Sequence, residues 1–347
     1  GSDTSYVGVA VGLRTPERYA DVYVGVQMAL DTLNATRPDG APLLALRRAP
    51  ADAKSAVEVA VAFRDDPSVI GVVGHTESDA TIDAAPVYAD KANGGRRALV
   101  AISPTANGTL VTRGNDWIFR VCPVGTATAQ VLARFAAESL HLKRVTVVYR
   151  NDAMGKDFRG AFLEEFGAKG GEVLEADPFM EEISEFDAYA QRSARRGAQA
   201  LAVAGNAPDA LRARRASRAA GGSSVMLTTN PPPAKPAAGE VADYDGMYYL
   251  TLYTPDQPPT TEGARFAAAF QQRMQRAPDH WSALAYDAAM LIGRAAQAEG
   301  ANRRAIRDWV ADVGRGRPAY TGVTGRIAFD DEGDPVDKQL LVRSAKY

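Results

Sequence analysis

The sequence predicts an α/β protein made of two doubly wound parallel-sheet lobes. Three observations lead there. At 347 residues the chain is longer than one hydrophobic core comfortably serves, so two domains of ordinary size are expected. Through the first hundred residues, short apolar runs alternate with segments whose apolar residues recur at helical spacing, which is the rhythm of βαβ units. After Pro123 that rhythm starts again, with no residue-level repeat of the first half.

Taken in order, Tyr6–Val11 (YVGVAV) is the opening strand, and a polar loop over 12–19 follows it. The next helix is expected to run to about Asn34, with Val22, Val26, Ala29, Leu30 and Leu33 on one buried face. A strand at 43–46 and a helix at 53–64 come next, the latter turning Val57, Ala60 and Val61 inward. Residues 69–73 form an apolar β-branched run, read as a buried parallel strand. Gly74 and His75 break it, and Thr76-Glu77-Ser78-Asp79 offers several caps for a helix ending near Ala92. A strand at 99–102 leads to the polar turn Ser103-Pro104-Thr105-Ala106-Asn107-Gly108, and 117–121 is a short extended segment.

In the second half, helices are expected over 126–140, 155–169, 186–195 and 208–220. Strands are expected over 145–149, 171–176, 200–203, 225–228 and 247–252, with a stiff loop at Asn230-Pro231-Pro232-Pro233. From Pro255 the composition changes. Three helical segments, 262–276, 282–299 and 303–313, precede strands at 323–329 and 339–342 around an acidic turn, Asp330 to Asp334.

Charged residues at 24% and hydrophobic residues at 46% describe a soluble globular chain. A formal net charge of −2 gives no reason to expect nucleic acid or an anionic membrane as partner. No apolar run approaches the roughly 20 residues that span a bilayer. Gly1-Ser2 reads as a cloning scar, so a removed signal or lipid-attachment segment is compatible with the sequence. The single cysteine, Cys122, excludes an intrachain disulfide and a multi-cysteine zinc site, and its apolar setting favours inert packing.

His75, His141 and His280 are far apart and show no metal-ligand spacing. No G-x-S-x-G elbow, P-loop or H-E-x-x-H is present, and the glycine-rich turns lack dinucleotide spacing. The acidic run Asp330-Asp331-Glu332 lacks the alternating pattern of a calcium loop. No cofactor is therefore expected. Two neighbouring strands do end in loops bearing hydroxyls and amides, and one loop opens a helix whose N–H groups suit a carboxylate. Ser78 and Asp79 belong to this loop; the competing reading is that they only cap the helix. His75, at the strand end, either touches ligand or makes a structural hydrogen bond. This points to binding without chemistry, with two other classes left open. One is an enzyme whose groups converge from distant loops, and the other a ligand-sensing regulator, although no DNA-binding helix-turn-helix is evident.

Several short stretches, in order and spacing, carry a resemblance. They are Gly71-Val72-Val73-Gly74-His75, Ala85-Pro86-Val87-Tyr88, Ile102-Ser103-Pro104-Thr105-Ala106-Asn107, Phe119-Arg120-Val121-Cys122-Pro123, Ala283-Leu284-Ala285-Tyr286-Asp287-Ala288-Ala289 and Gly322-Val323-Thr324-Gly325. With them the whole chain resembles the solute-binding proteins of branched-chain amino acid ABC transporters, the Leu/Ile/Val-binding family with the type I periplasmic binding fold. The resemblance implies two lobes joined by a three-crossing hinge, residues 1–121 plus 254–327 and residues 122–253 plus 328–347. It also implies a ligand cleft between them that closes by hinge motion, a small-molecule solute, ABC permease subunits as partners, and a monomer. The expected location is periplasmic or otherwise extracytoplasmic, with or without a lipid anchor.

Carried over position by position, the family's carboxylate-binding serine falls on Ser78, and the next contacts fall on Thr105 and Asn107, where the family commonly has threonine at the latter. An aromatic of the first loop falls on Arg18, with Tyr19 beside it. Two second-lobe tyrosines fall on Met154 and Asn206. The acid that pairs with a ligand ammonium falls near Asn230, where no carboxylate stands. The resemblance thus keeps the first-lobe hydroxyl grip and loses the second-lobe ammonium grip. The expected ligand is a small organic carboxylate or neutral polar molecule, the alternative being an amino acid held through Asp79. A sensory receptor of the same fold remains the alternative to transport.

Overall fold

The structure is a computed structural model that describes residues 4–14, 16–180 and 185–347. The chain divides into two compact units. Gly1–Pro123 and Tyr253–Gln339 make the first, Val124–Leu252 and Leu340–Tyr347 the second, so the chain passes between them three times.

The first unit opens with β1 (Thr4–Ala10), a 3-10 turn at Pro16–Tyr19 and α1 (Ala20–Ala35). There follow β2 (Leu43–Arg48), α2 (Ala56–Asp65), β3 (Val69–Gly74), α3 (Ser78–Tyr88), β4 (Ala101–Ser103) and β5 (Ile118–Arg120). The five strands form one parallel sheet in the order β2-β1-β3-β4-β5. All six residues of β3 are buried, as the uninterrupted apolar run requires of a strand covered on both faces. α3 stops at Tyr88, short of the expected Ala92. Asp90 turns into the left-handed region at φ 49°, and its buried carboxylate accepts from Asn93 Nδ2 and the Arg97 N–H, each at 2.8 Å.

The second unit contains α4 (Gly125–Arg134), β6 (Arg144–Arg150), α5 (Ala153–Ala168), β7 (Glu172–Phe179) and α6 (Asp187–Arg195). It continues with β8 (Ala200–Ala204), α7 (Ala207–Ala219), β9 (Met226–Thr228), α8 (Val241–Tyr244) and β10 (Tyr248–Thr251). Phe158, Phe162 and Phe166, four residues apart on α5, stack along one face with centroids 5.4 and 5.6 Å apart and sit in the core.

The chain then returns to the first unit with α9 (Thr261–Met274), α10 (His280–Glu299), α11 (Arg303–Ala311), β11 (Tyr320–Gly322) and β12 (Gly325–Ile327). α10 lies close against α1 and β3. A side chain at Gly25 would run into the Ser282 carbonyl, and one at Gly71 would stand 2.7 Å from Ile292. Arg303 of α11 donates to the carbonyls of Arg64, Asp66, Val69 and Arg97 at 2.6–2.9 Å, tying the late helix to the end of α2 and the start of β3.

The expected strand over 323–329 is instead the second half of a tight hairpin of β11 with β12. The cause is Asp287, fully buried on α10. Its carboxylate accepts from the N–H groups of Val323 and Thr324 and from Thr324 Oγ1, bending the chain there. Residues 328–339, assigned to the second lobe from sequence, group with the first unit. Asp334 forms a two-pronged ion pair with Arg120, and Lys338 Nζ donates to Thr324. Last comes β13 (Leu341–Ser344), an antiparallel edge strand on the second sheet, whose order is β13-β10-β9-β8-β6-β7. No helix among the described residues is long and apolar enough to cross a membrane.

Candidate functional site

In the first sheet the strand order reverses at β1, and its neighbour β3 lies on the other side of the reversal. Such a switch point leaves a crevice at the carboxyl ends of the strands, where open α/β sheets hold small molecules. The loops after β1, β3 and β4 meet there and are laced together. The Gly12 N–H donates to Thr76 Oγ1 at 2.9 Å, Thr105 Oγ1 donates to the Thr76 carbonyl at 2.7 Å, and Ser103 Oγ donates to the His75 carbonyl at 2.6 Å.

Ser78 is the first residue of α3 and not its cap. The cap position is Glu77, which makes no side-chain cap bond. Ser78 Oγ accepts the Gly108 N–H at 3.0 Å, joining the β3 and β4 loops, and keeps its own proton available. Asn107 stands between Ala106 and Gly108, whose carbonyls are both held by Arg120 Nη1 at 3.3 and 2.7 Å. Arg120 is wholly buried. The partly exposed Asn107 amide has no hydrogen-bond partner among the described residues.

Other expected contacts change role. His75 turns inward: only 2% exposed, it pairs through Nε2 with Tyr88 Oη at 2.8 Å. Burial pulls its pKa down to about 4. It is a structural histidine and is withdrawn as a ligand contact. Thr105 directs its proton to Thr76, so it can meet a ligand only as an acceptor through its side chain. Asp79 is exposed in the first turn of α3. Arg18 lies with its guanidinium carbon 6.0 Å from the Tyr19 ring centroid.

Sequence reasoning passed over Glu77, having grouped it with the helix caps. Its Oε1 accepts from Tyr19 Oη at 3.2 Å, and Tyr19 packs edge-on to Trp281 at 5.6 Å. Burial first, then the Glu77 charge, push the Tyr19 hydroxyl up to about 12, so it remains a donor.

In the second unit, Met154, Asn206 and Asn230 also follow the carboxyl ends of adjacent strands, β6, β8 and β9. Asn230 Nδ2 donates to the Gly205 carbonyl at 2.7 Å, beside Asn206. Asn206 itself caps α7: its side chain accepts the Asp209 N–H while the Asp209 carboxylate accepts the Asn206 N–H, a reciprocal box. Met154 packs against the core from the first turn of α5. The acids here are engaged as well. Asp209 meets Arg150 and Arg212, and Asp152 caps α5.

Burial pushes the Cys122 thiol up to about 12, which leaves it an unreactive core residue. Among the described residues no three His, Cys, Asp or Glu side chains gather to hold a metal ion.

A family profile described as a periplasmic binding protein matches residues 15–346. The chain belongs to that family. It has the type I periplasmic binding fold, and its relatives are solute-binding proteins rather than enzymes. This periplasmic binding protein is 26% identical over 211 residues to an amino acid binding protein of Pseudomonas aeruginosa, a match covering 58% of the chain and 55% of that relative. Among solved structures it resembles the isoleucine-bound LivJ of Streptococcus pneumoniae, with TM-score 0.84 and 21% identity over 99% of this chain and 96% of that one. The leucine-binding protein LivK of Thermotoga maritima gives 0.83 and 21%, over 99% and 95%. A benzoate-bound solute-binding protein of R. palustris gives 0.82 and 17%, over 99% and 93%.

Proposed function

We propose that this periplasmic binding protein is the extracytoplasmic substrate-binding component of an ABC importer and takes a small solute bearing a carboxylate. The observation that supports it is the first-unit crevice, where the Ser78 hydroxyl at the start of α3 and the Asn107 amide are both available to an anion. Isoleucine and benzoate, the ligands of two structural neighbours, differ in nearly everything except the carboxylate. Delivery to a permease and a location outside the cytoplasm follow the family resemblance.

The test is a thermal-shift panel on the full chain with leucine, isoleucine, benzoate and 4-hydroxybenzoate, each beside its carboxamide. A ligand at 100 times its dissociation constant adds about 2.7 kcal/mol of stability. At least one acid should stabilise the protein while its carboxamide does not. Equal stabilisation by acid and carboxamide would refute the carboxylate reading.

A further inference from the structure

We propose that Asn107 is a site of spontaneous deamidation, and that the aspartate it becomes closes the first-unit crevice to acids. The loss of binding rests on the carboxylate-solute reading; the chemical step does not. The tripeptide Ala-Asn-Gly occurs twice in the chain, as Ala92-Asn93-Gly94 and Ala106-Asn107-Gly108. A glycine after asparagine has no Cβ to keep its nitrogen away from the side-chain carbonyl. In the step, the Gly108 nitrogen loses its proton and bonds to Asn107 Cγ, the bond from Cγ to Nδ2 breaks, and Nδ2 leaves as ammonia. Water then opens the five-membered imide at either carbonyl, leaving aspartate or isoaspartate. One water is taken up and one ammonia released.

The fold treats the two copies differently. Each glycine N–H has one neutral acceptor, Ser78 Oγ at 3.0 Å for Gly108 and the Lys91 carbonyl at 3.3 Å for Gly94, so the two nitrogens are restrained alike. The side chains are not. Asn93 Nδ2 donates to the buried Asp90 carboxylate at 2.8 Å, which fixes the amide and sets a negative charge against the anion that attack creates. The Asn107 amide is partly exposed and has no hydrogen-bond partner among the described residues. Positive charge gathers on its loop instead. Arg120 Nη1 holds the Gly108 carbonyl at 2.7 Å, and Ser78, which accepts the Gly108 N–H, is the first residue of α3, at the helix's electropositive end. Both favour a negative nitrogen and the oxyanion of the tetrahedral adduct. The product puts a carboxylate where an amide donor stood, which takes a hydrogen bond from a bound acid and sets a like charge against it.

The test incubates the full chain in warm, mildly alkaline buffer, folded and in urea, and follows the one-dalton gain by mass spectrometry after tryptic digestion. Cleavage at lysine and arginine separates the copies, with Asn93 in residues 92–96 and Asn107 in residues 98–113. In urea the two should react at similar rates, since their local sequences match. In the folded chain Asn107 should lead Asn93 by about 10- to 100-fold, the scale of the charged hydrogen bond that Asn93 must break. Asn107→Asp, made directly and checked by circular dichroism, should bind whichever of leucine, isoleucine, benzoate and 4-hydroxybenzoate the parent binds at least about 10-fold more weakly. Asn93 reacting as fast as Asn107 in the folded chain, or no gain at Asn107, would overturn the modification site. Asn107→Asp holding that acid as tightly as the parent would overturn the closing of the crevice and leave the carboxylate reading intact. If none of the four binds the parent, the closing and the carboxylate reading fall together, and the mass gain still decides the chemistry.

Discussion

Arg120 shows how far a site depends on residues that never reach it. Buried completely, it grips Asp334 with two nitrogens at 2.6 and 3.0 Å and holds the two carbonyls that flank Asn107. Removing one partner of a buried pair strands the other. Arg120→Met should therefore cost roughly 3–5 kcal/mol in urea unfolding, and solute affinity should fall with it as the Asn107 loop loosens. Asn107→Ala should separate the two effects. Its amide holds nothing else in place, so stability should stay within about 0.5 kcal/mol while affinity drops. The sequence showed Asn107 as a polar group at a strand end, because alternating apolar runs and polar turns mark such ends. It did not show Arg120 as its support, since the partner Asp334 lies 214 positions away. Glu77 was hidden differently. Next to a helix start an acid is most simply read as a cap, and only its contact with Tyr19 shows otherwise.

At the scale of elements, the sheet strands and the long helices were legible because periodicity and β-branched runs are local properties. The hairpin of β11 and β12 was not. Read locally, Val323 to Phe329 makes one good strand, and it is the carboxylate of Asp287, on another helix, that folds it back. Burial pushes the Asp287 pKa up, and the nearby Lys338 charge opposes that shift. Asp287→Ala leaves two buried N–H groups without their acceptor and the partly buried Lys338 without its nearby counter-charge. It should cost roughly 3–5 kcal/mol in chemical denaturation. Hydrogen exchange at the Val323 and Thr324 amides should rise ahead of that at β3, since the bend is released first.

For the molecule as a whole, stability should depend on pH through its buried histidines. Burial holds both His75 and His280 at about 4 instead of 6.5. As pH falls from 6.5 towards 4, the unfolded chain takes up protons that the folded chain refuses, so stability present above that window is lost. Asp279 acts in the opposite sense. Its carboxyl is pushed up to about 6 by burial and by Asp21, so it adds stability as pH falls from 6 to 3.8. Neither ring nitrogen of His280 has a partner among the described residues. His280→Phe should accordingly be neutral or stabilising near pH 7, and its unfolding free energy should fall less than the parent's on moving to about pH 4.5.

The threefold passage between units has a consequence for how the chain is made. The first sheet is complete by Arg120, yet the helix that lies on Gly71 and against α1 arrives only with residues 280–299. Until then one face of β3 is uncovered, and a ribosome that has delivered two thirds of the sequence has finished neither unit. The second unit waits longer still, for its edge strand at Leu341–Ser344. Stable folding of each unit thereby waits for segments far along the chain from the sheet they complete.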